Sequence, residues 1–145
     1  MADTSGKSLR TLGRLAERQV EEKQKEIGEI NKVIRQMEVR RATLTKTIIL
    51  EGKLATENSD PMLYQAAGAF TGRAEHEIQD IDEATIDAEK ILEERRAELK
   101  VLFAEQKRYE TLEKRRLEAE KKKRDKKEQI MLDEMGSTRH QNGDS

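Results

Sequence analysis

The only proline in the chain, Pro61, constrains its fold more than any other residue. It follows Asn58, Ser59 and Asp60 and separates two long segments in which apolar residues recur at helical spacing. Because a proline disfavours the α conformation of the residue before it, a single helix is not expected to run through this point. Asp60 can cap a new helix, and Pro61 suits its first position, where the missing N–H costs nothing. The pattern predicts two helices joined by a hinge of residues 59–60, and so short a link favours antiparallel packing.

The composition favours two thin helices over a globular core. The chain is 41% charged, 34% hydrophobic and 3% aromatic, and it contains no cysteine. This mixture is typical of a coiled coil. Two helices with narrow apolar stripes cannot enclose a pocket, so an enzyme is the class of protein that we expect least. One structural unit accounts for the length.

Apolar residues recur every three or four positions in both segments, and the mean spacing of about 3.5 residues indicates a coiled coil. We call these positions the seam. In the first segment they are Leu9, Gly13, Ala16, Val20, Lys23, Ile27, Ile30, Ile34, Met37, Arg41, Leu44, Ile48, Glu51 and Ala55. In the second they are Leu63, Ala67, Phe70, Ala74, Ile78, Ile81, Thr85, Ala88, Leu92, Arg95, Leu99, Leu102, Gln106 and Tyr109. The long charged members can lay their alkyl stems along the seam while the charge reaches water. The predicted fold is therefore all-α, an antiparallel two-helix coiled coil.

The ends of the helices are predicted from capping residues. Ser8 suits an N-cap, and Gly136 suits the position just after a helix. The predicted organisation is a flexible N-terminus over residues 1–7, a first helix over 8–58, a second helix over 61–135 and a disordered tail over 136–145.

Two glycines near the hinge, Gly68 and Gly72, leave an alternative open. Each weakens a helix by about 1 kcal/mol relative to alanine, but the seam spacing continues through them. The alternative is a loop from Ser59 to Arg73, with the second helix starting near Ala74. If the helix does run through, this glycine spacing either lets a partner helix approach closely or merely loosens the helix.

Opposite charges are predicted to face each other across the seam. Between residues 32 and 53 the first helix is mainly basic, and between residues 75 and 94 the second helix is mainly acidic. Folding back at the hinge brings these blocks together, and flanking charges of this kind select orientation in coiled coils. Exposed pairs contribute only about 0.2–1 kcal/mol each, so they set register more than stability.

The second helix is longer than the first, so its C-terminal part is predicted to protrude. At a rise of about 1.5 Å per residue, the two helices span roughly 75 Å and roughly 110 Å. Folding at the hinge places Leu9 near Tyr109 and leaves residues 112–135 without a partner in the chain. This overhang contains a basic run at 121–127, which precedes an apolar cluster at 130–135.

No motif predicts catalytic, cofactor or metal chemistry. Gly6-Lys7-Ser8 lacks the earlier glycine and the preceding strand of a P-loop. His76 and His140 have no ligand partners at suitable spacing, and the net charge of −1 gives no overall attraction to nucleic acid. No apolar run approaches the ~20 residues that span a bilayer, and no secretory signal is visible, so we expect a cytoplasmic protein.

The two ends of the chain resemble one known family. The start reads Leu9-x-x-Leu12-x-x-Leu15-Ala16-Glu17-x-x-Val20, followed by Ile27-Gly28-Glu29-Ile30. The end reads Glu128-Gln129-x-x-Leu132-Asp133-Glu134-Met135 and closes a basic helix. Together with the length, the low aromatic content and the central hinge, these patterns are similar to those of the flagellar FliJ family over nearly the whole chain. Stalk proteins of virulence type III secretion share the fold of that family.

The resemblance implies a non-enzymatic component of the flagellar type III export apparatus, folded like the γ stalk of rotary ATPases. It implies that the end carrying both termini enters the hexameric export ATPase and promotes its assembly and activity. The implied ATPase contacts are Arg115, Arg116, Lys121, Lys122, Lys123, Arg124, Lys126, Lys127, Leu132, Asp133 and Glu134. The implied location is the cytoplasmic side of the inner membrane at the flagellar base, held there through partners only, and no cofactor is implied.

The resemblance also implies a second contact surface nearer the hinge. There the chain would bind the cytoplasmic domain of the export gate protein, and Leu44 and Phe70 keep the residue types that the family has at this surface. Export chaperones are a further implied partner.

The residues alone leave other functions open. An adaptor or holdase would bind export substrates or their chaperones through the exposed ends of the seam, and it would recover these rather than an ATPase. A generic coiled-coil scaffold is a third function, and a basic nucleic-acid-binding helix is the least expected. The last would show steeply salt-dependent binding, and the lack of aromatic residues among the basic ones argues against it for single strands.

Overall fold

The computed structural model describes residues 2–143, with side chains from Gly6 onward, and in this part of the chain it contains two helices and no strand. Helix α1 spans Ala2–Asn58, and helix α2 spans Pro61–Gly143. The two helices pack against each other as a hairpin. The predicted all-α, antiparallel two-helix fold is confirmed.

The hinge consists of Ser59 and Asp60, as predicted. Ser59 adopts a left-handed backbone with φ of 52°, and its N–H donates to the Ala55 carbonyl at 3.2 Å. Asp60 caps α2, because its Oδ1 accepts a hydrogen bond from the Met62 N–H at 2.9 Å. Helix α2 therefore begins at Pro61 and runs through both nearby glycines, which excludes the alternative of a long loop.

Both helices extend beyond their predicted ends. Helix α1 begins at Ala2 rather than at Ser8, and its first turns are tied together by side chains: Arg10 donates to the Gly6 carbonyl at 3.3 Å. Helix α2 continues through Gly136 to Gly143, because no described glycine takes the positive φ that would end a helix there. Within the predicted flexible N-terminus and disordered tail, residues 1, 144 and 145 lie outside the described residues.

Two compact units make up the hairpin. We call residues 21–100 the hinge unit, and residues 1–20 together with 101–145 the terminal unit.

The predicted seam is the core of each unit. Every buried apolar side chain of the described residues is a predicted seam position, namely Ile34, Leu44, Ala55, Ala67, Ala74 and Leu92 in the hinge unit and Ala16 and Val20 in the terminal unit. Half of these are alanines, because a seam with one neighbouring helix covers a short side chain fully and leaves the outer atoms of longer ones exposed. Two predicted seam residues, Arg41 and Leu63, are exposed.

Two arginines of α1 pair with carboxylates of α2 in the hinge unit. Arg40 binds Glu77 with two hydrogen bonds of 2.9 and 3.2 Å, and Arg41 binds Asp82 with two of 2.7 and 3.4 Å. Both pairs join the basic block of α1 to the acidic block of α2. The predicted juxtaposition of the two blocks is confirmed for these pairs, and their forked geometry fixes direction as well as distance.

A second set of ion pairs closes the other end of the hinge unit. Lys23 Nζ lies 2.8 Å from Glu98 and 3.1 Å from Glu26, while Arg95 lies 3.1 Å from Glu98 and 3.4 Å from Glu26. Each helix contributes one cation and one carboxylate, so the four charges alternate in sign across the seam. Lys23 and Arg95 thus occupy seam positions through paired charges rather than through their stems alone.

A disulfide should lock the terminal unit without changing its packing. A Cβ built on Gly13 would lie 3.9 Å from the Tyr109 Cβ, which matches the usual disulfide separation of about 3.8 Å. We expect the double variant Gly13→Cys/Tyr109→Cys to form an intramolecular disulfide on oxidation in dilute solution, and to unfold at a higher temperature once oxidised. Mass spectrometry and non-reducing electrophoresis measure the product.

The matched control is Gly13→Cys/Lys107→Cys, in which the second cysteine replaces an exposed residue. Disulfides found only between separate molecules, or formed equally well in the control, would contradict the packing of α1 on α2 in this unit.

Acid should weaken the hinge unit. The hydrogen bond from Lys23 holds the pKa of Glu98 below its ordinary value of 4.5, and the two from Arg40 do the same for the pKa of Glu77. A carboxylate with a lowered pKa stabilises the fold above its unfolded-state pKa and loses this contribution as pH falls through its folded-state pKa. We therefore expect the thermal midpoint, measured by circular dichroism, to fall as pH drops below 4.5.

The variant Glu77→Gln/Glu98→Gln tests the origin of this effect. It should melt at a lower temperature at neutral pH and lose less stability in acid. An acid loss as large as that of the native chain would show that other groups are responsible.

Candidate protein-interaction surfaces

The first turns of α1 pack against α2 at Arg116. A Cβ on Gly6 would lie 3.0 Å from the Arg116 guanidinium, which is itself held by Glu113 at 2.7 Å and by Glu120 at 2.8 Å. The Arg116 hydrogen bond, with the charges of Arg116 and Arg10, lowers the pKa of Glu113. Arg116 was predicted as an ATPase contact, but its side chain is half-buried and committed to these internal partners.

The overhang is displaced towards the C-terminus relative to the predicted residues 112–135, because some of its first residues are covered and α2 runs on to Gly143. Glu113 and Arg116 are half-buried, because α1 begins six residues earlier than predicted and covers them. Every described residue from Leu117 to Gly143 is exposed.

The cations at positions 121–127 of α2 form a surface that we call the basic segment. It consists of Lys121, Lys122, Lys123, Arg124, Lys126 and Lys127, all exposed. Among the described residues, none of these six cations takes part in an ion pair. Successive residues of an α-helix are turned by about 100°, so the four consecutive cations at 121–124 surround the helix. Arg115, one turn before the segment, is also exposed.

An exposed apolar cluster follows the basic segment, and we call it the apolar tip. It consists of Ile130, Met131, Leu132 and Met135. Met131 and Leu132 are 61% and 62% exposed, which is unusual for large apolar side chains. Asp133 accepts a hydrogen bond from Gln129 at 3.2 Å, and Glu134 is exposed, so both predicted acidic contacts lie on the surface.

The two residues predicted to contact the export gate lie in the seam of the hinge unit. Leu44 is only 4% exposed, and Phe70 is half-buried. In this structure Leu44 is occupied by packing between the helices and is not available to another protein. Phe70 retains part of its ring at the surface.

A second stripe on α1, beside the seam, is largely exposed instead. We call it the hinge stripe: Val39, Thr43, Thr47, Leu50 and Leu54, of which only Thr47 is half-buried. The hydroxyls of Thr43 and Thr47 each donate to the carbonyl four residues earlier, at 2.9 and 2.8 Å, so they are satisfied within the helix. The signal in the sequence was a second run of uncharged residues at spacings of three and four, which the seam obscured.

The surfaces of the described residues show no arrangement for metal chemistry, because no group of three or more His, Asp or Glu side chains comes together there. The concave regions are shallow and lie along helix surfaces, such as the one lined by Met131, Met135 and Arg139. Nor is either helix, over its described length, apolar for long enough to cross a membrane.

Comparison with known families identifies the chain. Residues 5–145 match the profile of the family described as FliJ, Flagellar FliJ protein. The chain belongs to the FliJ family. Searches of curated proteins and of solved structures found no significant match.

Membership of the FliJ family confirms the resemblance seen at the two ends of the sequence. It makes the chain a component of the flagellar export apparatus. The family is a non-catalytic component of export, which fits the expectation that this chain is not an enzyme.

Proposed function

We propose that this FliJ-family chain is a stalk that couples a hexameric export ATPase to the export gate. The observation that supports the ATPase contact is the exposed end of α2, where the basic segment and the apolar tip have no partner among the described residues. Such a surface costs solubility unless another molecule covers it.

A ring is the partner that best fits the basic segment. Its cations point to all sides of the helix, so a flat protein surface would leave about half of them unmatched. A ring that encloses the helix meets cations on every side. Charge-assisted hydrogen bonds with acidic residues lining such a ring would hold the stalk in place. Because these contacts involve several ring subunits at once, they promote assembly of the hexamer.

The apolar tip makes the stalk asymmetric. Met131 and Met135 are four residues apart and share one face of α2, and Leu132, three residues before Met135, lies at the edge of that face. Subunits of a six-fold ring would therefore meet different surfaces: an apolar face on one side and charged residues on the others. In this mechanism the chain alters ATP hydrolysis by the ring through unequal contacts and performs no chemistry itself.

The hinge unit would bind the cytoplasmic domain of the export gate. Because Leu44 is buried, the contact is assigned to the hinge stripe together with Phe70, whose ring is partly exposed. Binding to ring and gate would hold the chain on the cytoplasmic side of the inner membrane at the flagellar base.

An adaptor for export chaperones is the second candidate function. It is favoured by the exposed apolar side chains of the hinge stripe, of which Leu50 and Leu54 are each 51% exposed. Recovery of chaperones without the ATPase in pull-downs would favour this function over the stalk.

The basic segment provides the test of the stalk. Replacing all six of its cations by alanine should leave helicity and thermal midpoint nearly unchanged, because exposed unpaired side chains contribute within about 0.5 kcal/mol. The variant should fail to promote hexamer formation and should lose its stimulation of ATP hydrolysis, since it lacks the ring contacts. Sedimentation and steady-state hydrolysis by the ATPase measure these effects.

The matched control replaces three exposed cations of α1, Lys25, Lys46 and Lys53, by alanine. It should stimulate the ATPase as the native chain does. Undiminished stimulation by the variant without the basic segment would refute the ring contact.

A pair of leucine variants tests the gate contact. Leu50→Ala should change stability by about 0.5 kcal/mol or less and weaken binding to the gate domain, measured by calorimetry. Leu44→Ala should lower stability by about 2–5 kcal/mol because it opens a cavity in the seam, and it should bind the gate normally while folded. If Leu44→Ala weakened binding to the gate domain and Leu50→Ala did not, the gate contact would lie at Leu44, as the sequence predicted.

A further inference from the structure

The hinge unit carries acidic residues that form no ion pair among the described residues. Glu77 and Asp82 are matched by arginines of α1, and Asp80 lies 3.8 Å from His76. The remaining carboxylates of the acidic block are exposed and form no ion pair among the described residues: Glu75, Glu83, Asp87, Glu89, Glu93 and Glu94. Three of them, Glu83, Asp87 and Glu94, are spaced by four and seven residues and therefore share one face of α2.

The C-terminal part of α2 carries the complementary pattern. Arg115, Lys122 and Lys126 are exposed, have no ion pair among the described residues, and are spaced by seven and four residues. These three also share one face of α2. The order of the spacings is the reverse of the order in the acidic set.

The acidic set belongs to the hinge unit and the basic set to the terminal unit, and both lie on α2. They match when two copies of α2 lie antiparallel. Lys126 then lies opposite Glu83, Lys122 opposite Asp87, and Arg115 opposite Glu94, all in one register. The one cation of the acidic block, Lys90, falls opposite Ala119 in this register and not opposite another cation.

We propose that the chain self-associates through this face, with Arg115, Lys122 and Lys126 of one copy bound to Glu94, Asp87 and Glu83 of a second copy. An antiparallel pairing of two identical helices has two-fold symmetry. Both copies therefore contribute the same residues, and the association closes as a dimer. Exposed Val101 lies on α2 before the basic set and adds apolar area to the contact. The proposal does not depend on binding to an ATPase, but dimerisation would cover part of the surface proposed for the ring.

Sedimentation velocity of the full chain tests the dimer. Exposed ion pairs are screened by salt, so a dimer is expected at about 0.05 M salt and a monomer at about 0.5 M. Two variants should each weaken dimerisation by at least about tenfold because they place like charges opposite each other. The first is Arg115→Glu/Lys122→Glu/Lys126→Glu, and the second is Glu83→Lys/Asp87→Lys/Glu94→Lys. An equal mixture of the two should dimerise again, because each then meets the opposite charge.

The control variant is Lys114→Glu/Lys121→Glu/Arg124→Glu. It makes the same change of net charge in the same part of α2, but on the opposite face, and it should dimerise normally. Circular dichroism confirms that each variant is helical. A native chain that stays monomeric at low salt, a control that loses dimerisation equally, or a mixture that stays monomeric would each overturn the proposal. So would a dimer that nuclease or detergent dissolves, since polynucleotide or lipid would then be the bridging molecule.

Discussion

The seam between the two helices is the constraint on which the rest of the structure depends. Each helix has only one neighbour, so burial is confined to one narrow stripe along its length. Short side chains such as Ala55 and Ala74 disappear into this stripe, whereas longer ones stay partly in water. Among the described residues no polar or charged side chain is buried, and a strongly perturbed pKa needs burial on several sides.

Ion pairs fix the alignment of the two helices, whereas in a globular domain a wide core fixes how the elements pack. The seam repeats every few residues, so apolar contacts alone would tolerate a slip of one heptad between the helices. The forked pairs Arg40–Glu77 and Arg41–Asp82 do not tolerate it, because a slip would separate four charges at once. The alternating set at Lys23 and Arg95 fixes the same register about five turns earlier in α1. A small energy per ion pair is sufficient to fix the register, since the alternative registers of the two helices bury similar apolar areas.

The fold was predictable from sequence because its determinants are local or strictly periodic. Pro61 and Asp60 locate the hinge, and the spacing of three and four residues locates all eight apolar side chains that are buried among the described residues. The helix ends were harder to predict: Gly136 is a residue type that often ends helices, but it ends none here without a positive φ, and the first turns of α1 pack against Arg116, which is distant in sequence. The same cause limited the prediction of surfaces. Leu44 and Leu50 are equally apolar, and only the position of the second helix decides which is buried.

The left-handed serine at the hinge has a consequence for the stability of the monomer. Two chains that opened at Ser59 and exchanged their second helices would keep every seam contact and every ion pair. They would also release the strain of a non-glycine residue at φ of 52°, which costs about 1–3 kcal/mol. The exchanged form pays instead the entropy of bringing two molecules together, whereas a two-residue tether keeps the helices at high effective concentration. The single-chain hairpin is therefore favoured over the exchanged dimer by the short connection between its helices, since the two forms contain the same contacts.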